Sequence, residues 1–254
     1  FFIRDNAGYG LSRQVTLYFT IDENGHGVTK MNGMQTADFE AYAIDNGEKG
    51  DGIGISTSPF NTGKELTDFY ASPSSDILIS VGGGELMCET MSKTDLTALS
   101  EACPKWFMGY SDNTNFTFTL TTICDTAAIY GPCAASYGST PLHQSFRDAI
   151  SILEKGCAGS RLTFKGYGMW EKESLRDEEH PLVPLNLTEP TVLHRYIGDG
   201  EPMDTGTREC DSIQMRGRLL GGCLDCLVNL CGTSYDRVAS FNRKYGDEGI
   251  LWFL

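Results

Sequence analysis

Three short stretches carry residue types able to do chemistry: Gly82-Gly83-Gly84-Glu85, Gly109-Tyr110-Ser111-Asp112-Asn113 and Cys223-Leu224-Asp225-Cys226. A serine on a sharp strand-to-helix elbow holds its hydroxyl out at the carboxyl edge of a sheet, with helix N-terminal N–H groups aimed at whatever binds there. That suits acyl transfer, in which the hydroxyl attacks a carbonyl and nearby N–H donors take the developing oxyanion. The stretch keeps the first glycine of the hydrolase elbow pattern and has Asn113 in place of the second. Capping of the following helix by Ser111 or Asp112 is the competing reading of the same residues. The glycine turn lets backbone approach a phosphate or an oxyanion, or it is a tight turn and nothing more. It fits neither the G-x-G-x-x-G pattern nor a P-loop, which needs a lysine.

The cysteine stretch invites zinc or redox chemistry. Zinc needs four ligands, and no second C-x-x-C completes the set, so no metal is expected and the thiols are read as buried and structural. Cys124, Cys133, Cys223 and Cys231 sit in apolar sequence, where free cysteine acts as a small hydrophobe. His26, His143, His180 and His194 are scattered without a catalytic neighbourhood and read as surface or loop histidines. Trp170, an aromatic in polar sequence, either stacks on a ligand or anchors its loop to the core.

The elements that position these residues follow from periodicity. Residues 76–81, 105–110 and 128–132 are short apolar runs that read as buried strands. Between them lie helical patterns at 63–72, 85–102 and 113–126. Strand, turn, helix, strand in this rhythm predicts an α/β fold, with right-handed crossovers and a parallel sheet covered on both faces. Upstream, residues 14–31 suggest a hairpin turning at Asn24-Gly25, and residues 34–47 a short helix ended by Gly47. The charged, proline-bearing stretch 166–210 reads as an exposed loop or linker, with Arg176 to Glu179 in solvent. Residues 215–236 turn apolar and glycine-rich again, as the start of a second packed unit. The sequence stops within the apolar strand 250–254, where a terminus usually turns polar, and so reads as a fragment.

Composition narrows the partners. With 40% hydrophobic and 21% charged residues, the 254-residue chain reads as an ordinary globular protein. A net charge of −14 argues against nucleic acid, whose phosphates need clustered lysine and arginine. No apolar run approaches the roughly 20 residues that span a bilayer, so no membrane is expected. Nine scattered cysteines fit a reducing cytoplasm, where the sequons at Asn115 and Asn186 stay unmodified.

The stretches "DILISVGGGELM", "PKWFMGYSDNTNFTF", "IYGPCAASYG" and "GRLLGGCLDCLVNLCGT", in this order and spacing, resemble the LD-carboxypeptidase family of serine peptidases, closest to its microcin C immunity branch. The resemblance covers roughly residues 52–254. It implies a two-domain α/β scaffold with a Ser-His-Glu triad, no cofactor and a homodimer. Ser111 matches the nucleophile, backbone of Asp112 and of Gly83 or Gly84 the oxyanion donors, and Trp170 and Glu85 the substrate-binding residues. The expected substrate is a small peptide or an aminoacyl-nucleotide, cut at an amide next to a free carboxylate through an acyl-enzyme. A non-catalytic binder of peptidoglycan fragments or nucleotide conjugates is the alternative. The implied division is an α/β nucleophile domain at 1–165, a linker and substrate-covering loop at 166–210, and the start of a smaller C-terminal domain, only partly present, at 211–254. The resemblance puts the triad glutamate and histidine beyond Leu254, so the chain by itself is expected to be inactive. Its first fifty residues lack the family's usual opening strand and glycine turn.

Overall fold

The computed structural model describes strands at 2–3, 14–16, 19–21, 27–29 and 41–42, then residues 58–254 except 74, 81, 140, 157–158, 178–179, 181–182 and 195–213. The N-terminal strands are β1 (Phe2–Ile3), β2 (Gln14–Thr16), β3 (Phe19–Ile21), β4 (Gly27–Thr29) and β5 (Ala41–Tyr42). The expected hairpin is present as antiparallel β3 and β4, whereas Val15 belongs to β2, which pairs with β1 and β5. Residues 41–42 are strand where a helix was predicted; the rest of that stretch and His26 lie outside the described residues.

The sheet that carries the elbow has three parallel strands in the order β6 (Ile77–Ile79), β7 (Trp106–Gly109), β8 (Ile129–Tyr130). Alternation along these strands divides the core. Leu78 and Phe107 face one cluster with Tyr70, Met87, Leu99 and Phe116. Ile79 and Met108 face the other, with Tyr137, Leu142 and Phe146. Both faces are therefore covered, as the sequence rhythm predicts, and the fold is α/β.

Helix α1 (Pro59–Ala71) starts earlier than periodicity suggests, because Ser58 accepts the Asn61 N–H at 3.3 Å and Pro59 is preset for a first turn. The helix predicted over 85–102 is two helices, α2 (Met87–Met91) and α3 (Leu96–Glu101). Asp95 divides them: its Oδ1 accepts the N–H groups of Thr97 and Ala98, each at 3.0 Å, and so begins a new helix. α4 (Thr114–Thr122) follows the elbow and is buried from Thr114 to Leu120. Its threonines are poor helix formers, yet Thr121 and Thr122 return their hydroxyls to the carbonyls of Thr117 and Phe118, each at 2.9 Å. His143 begins α5 (Gln144–Lys155) by accepting the Ser145 N–H at Nδ1.

The stretch expected as loop contains an antiparallel pair, β9 (Met169–Glu171) and β10 (Leu187–Pro190), tied by the Asn186 N–H to Glu171 Oε2 at 2.6 Å. Beyond it, β11 (Arg218–Gly221) and β12 (Ile250–Phe253) pair in parallel, with α6 (Leu224–Leu230) and α7 (Val238–Tyr245) between them. Leu220, Leu227, Leu230 and Phe241 form a third cluster around Phe118 of α4. One helix thus packs into two of the three clusters. Among the described residues no helix is long and apolar enough to cross a membrane.

Candidate active site

Ser111 sits where β7 gives way to α4, at φ +60°. A non-glycine residue held there carries strain of about 1–3 kcal/mol. Hydrogen bonds made by three side chains over-determine it. The Ser111 N–H donates to the Tyr130 hydroxyl at 3.1 Å, across from the end of β8. The Cys226 thiol donates to the Ser111 carbonyl at 3.8 Å. Asn113 Nδ2 donates to the carbonyls of Gly82 at 3.0 Å and Tyr110 at 2.9 Å, clamping the glycine turn against the elbow. A side chain at Gly83 would place its Cβ 2.9 Å from Ser111 Cβ and 3.3 Å from Oγ, so only glycine lets the turn lie this close.

The capping reading of the elbow does not hold. The short 3-10 turn Ser111–Asn113 and α4 both lack a side-chain cap. Asp112, 3% exposed, instead reaches across to α2, where its Oδ2 accepts the Met87 N–H at 3.2 Å. Burial pushes its carboxyl above the ordinary 3.8, opposed by hydrogen bonds from the backbone of Met87, Gly84 and Asn113 and reinforced by nearby Glu85. Ser111, Asp112, the glycine turn and Glu85 are thus gathered in one place. Trp170 lies on β9, 49% exposed, and no hydrogen bond or ring contact among the described residues joins it to the elbow. Its exposure overturns core anchoring.

The cysteines need correction. Cys124 and Cys133 are buried as expected, but Cys223 and Cys226 are half-buried and Cys231 is exposed, because α6 turns only Leu227 and Leu230 into the core. His143 Nδ1 lies 2.8 Å from Ser145 Oγ and His180 Nδ1 3.0 Å from Asp177 Oδ1, while His194 is exposed. Among the described residues none is hydrogen-bonded to Ser111, and no group of His, Cys, Asp and Glu is placed to hold a metal ion.

Sequence reasoning missed Tyr130 and Asn113. Tyr130 had a signal, since it ends the strand beside the serine strand at the same carboxyl edge. A mostly apolar groove of about 720 Å³ runs between α4, β8 and the β11–β12 pair. It includes Tyr130 but not Ser111, so it adjoins the elbow without enclosing it.

Residues 24–131 match the family model described as the LD-carboxypeptidase N-terminal domain. No curated protein matches the chain. Among solved structures, the microcin C7 self immunity protein MccF, in its inactive mutant apo state, is 21% identical with a TM-score of 0.56, over 72% of this chain and 51% of that one. A mutant of MccF in complex with adenosine monophosphate gives 22% identity and 0.57, over 74% and 52%. An MccF-like protein from Bacillus anthracis str. Ames gives 19% and 0.53, over 74% and 51%. The chain thus spans about half the length of these structures, and at these identities the likeness is one of fold. Because the match runs through both the glycine turn and the Ser111 elbow, the part of the chain that carries the candidate site is similar to the LD-carboxypeptidase N-terminal domain.

Proposed function

We propose that Ser111 is the nucleophile of a serine peptidase of LD-carboxypeptidase or microcin C immunity type, hydrolysing an amide next to a free carboxylate. The observation that carries this reading is the strained Ser111 backbone, held at φ +60° with Gly83 packed against its hydroxyl. A capping serine needs no such strain. The hydroxyl attacks the substrate carbonyl, and the backbone N–H groups of Asp112 and the glycine turn receive the oxyanion. Gly83 and Gly84 are the candidate donors in that turn. A histidine takes the serine proton and a glutamate orients it, after which water hydrolyses the acyl-enzyme. No described histidine is assigned that part, so the chain by itself is expected to leave substrate uncut, a serine without a base being a weak nucleophile. Trp170 and Glu85 are proposed to contact substrate. We carry the division at residues 165 and 210, a homodimer and a cytoplasmic location as parts of the same reading.

Structures of MccF in complex with aspartyl sulfamoyl adenosine and with glutamyl sulfamoyl guanosine support an aminoacyl-nucleotide as substrate class. A non-catalytic binder of the same ligands is the second reading, favoured by the half-exposed Trp170. The test is Ser111→Ala in the complete protein, assayed on aspartyl sulfamoyl adenosine and on an LD-linked tetrapeptide. Loss of turnover with an unchanged urea midpoint is expected. Near wild-type cleavage by the variant overturns the nucleophile, and ligand binding without turnover in the unsubstituted protein favours the binder.

A further inference from the structure

The reading above gives the thiols of Cys223 and Cys226 no chemical part. Cys223 is the N-cap of α6, with extended backbone at φ −65° and ψ 123°. Cys226 lies in the turn that the Leu227 N–H closes onto the Cys223 carbonyl at 3.0 Å. The two free thiols are half-buried and stand three residues apart across that turn, so they share one face of the helix start. Both are also tied to the elbow. The Cys223 N–H donates to Thr114 Oγ1, at the start of α4, at 2.8 Å. The Cys226 thiol supplies the bond to the Ser111 carbonyl at 3.8 Å. Just before Cys223, Gly222 sits at φ +152°, and a Cβ there would meet Thr114 at 2.4 Å, so the backbone is pressed onto α4. A change in the cysteine pair is therefore felt at Ser111.

We infer that Cys223 and Cys226 are a reversible dithiol–disulfide pair whose oxidation withdraws the Cys226 hydrogen bond from the Ser111 peptide. The oxidant is a low-molecular-weight disulfide. The Cys223 thiolate attacks one of its sulfurs, forms a mixed disulfide and expels one small thiolate. Cys226, deprotonated in turn, attacks Sγ of Cys223, forms the Sγ–Sγ bond and expels the second. The two cysteine protons end on the two released thiols; the cysteines are oxidised and the small disulfide is reduced. This order of attack follows from the environment, since burial and the adjacent Cys223 thiol push the Cys226 thiol well above the ordinary cysteine range. Once the bond has formed, Cys226 has no hydrogen to donate to Ser111.

The pairing does not require Ser111 to be a nucleophile, and its test needs no turnover. The chain is equilibrated with oxidised or reduced glutathione, quenched in acid, alkylated, digested and weighed, with amide exchange followed in parallel. Oxidised glutathione is expected to leave the peptide holding Cys223 and Cys226 unalkylated and lighter by two hydrogens, and dithiothreitol to reverse this. In Cys226→Ser, Cys223 should stop at the mixed disulfide with glutathione. Exchange of the Asn113 amide should quicken about threefold on oxidation, the scale of one weak hydrogen bond lost locally. Full alkylation of both cysteines after oxidised glutathione overturns the pair. Identical Asn113 exchange in the two states overturns its link to the elbow.

Discussion

At Ser111 a serine occupies backbone space that suits glycine, and that conflict can be measured. Ser111→Gly should raise the urea midpoint, relieving strain by about 1 kcal/mol after the added entropy of an unfolded glycine is counted, while abolishing turnover in the complete protein. Ser111→Ala keeps the Cβ and should leave the midpoint where it was. A glycine variant no more stable than the alanine variant would mean that the φ of +60° stores nothing. Asp112 makes a second, pH-dependent prediction. Its folded carboxyl titrates above the ordinary 3.8, chiefly through burial, so across that window the folded state binds the proton more tightly than the unfolded chain. Stability conferred by Asp112 therefore falls as pH rises from below the ordinary value to above the raised one. Asp112→Asn should remove that part of the slope, read as the difference between the two proteins' urea midpoints across the acid range. Parallel pH profiles would show that the carboxyl titrates as it does when unfolded.

Elements place these residues because each is closed by a specific local device. β7 ends at Gly109, the chain turns through Ser111, and α4 begins one residue after Asn113 has clamped the glycine turn. The β9–β10 pair is held differently, by backbone pairing and by the bonds of Asn186 to Glu171 and Glu173, and its tryptophan is left half exposed. Trp170→Ala should therefore scarcely change stability. If the pair covers an aminoacyl-nucleotide, the substitution should weaken that ligand by roughly 1–3 kcal/mol, the scale of stacking a base on an aromatic ring. A peptidoglycan tetrapeptide offers no base and should bind almost as before. Titration calorimetry of the complete protein with both ligands decides it, and equal losses would reduce Trp170 to a brace for the strand pair.

For the molecule as a whole, α4 is the shared member: Phe116 and Leu120 pack into the cluster beside β6 and β7, and Phe118 into the cluster with Leu220, Leu227 and Phe241. Phe118→Ala should cost about 3–5 kcal/mol, as large-to-small changes in cores do, and should shift a single unfolding transition seen alike by circular dichroism and tryptophan fluorescence. Two separated transitions in the unsubstituted chain would mean that the two clusters joined by α4 do not fold together. Much of this architecture was legible beforehand. Apolar runs at Ile77–Ile79 and Trp106–Gly109, spaced by helices, determined a parallel sheet, and the Gly-Tyr-Ser-Asp-Asn order determined where its elbow falls. Such signals are local, because strand and helix periods are written in neighbouring residues. The break at Asp95 was local too, but a capping aspartate looks like any polar residue on a helix face until the turn before it is seen. The pairing of β9 with β10 was hidden under charge and proline, since backbone hydrogen bonds between distant segments leave no compositional mark. Tyr130 on the Ser111 N–H, Asp112 on Met87, Cys226 on the Ser111 carbonyl and the positive φ they surround belong to the same class. Only tertiary structure decided them, because each joins residues whose separation along the chain carries no period, and the strain at Ser111 persists only where those contacts meet.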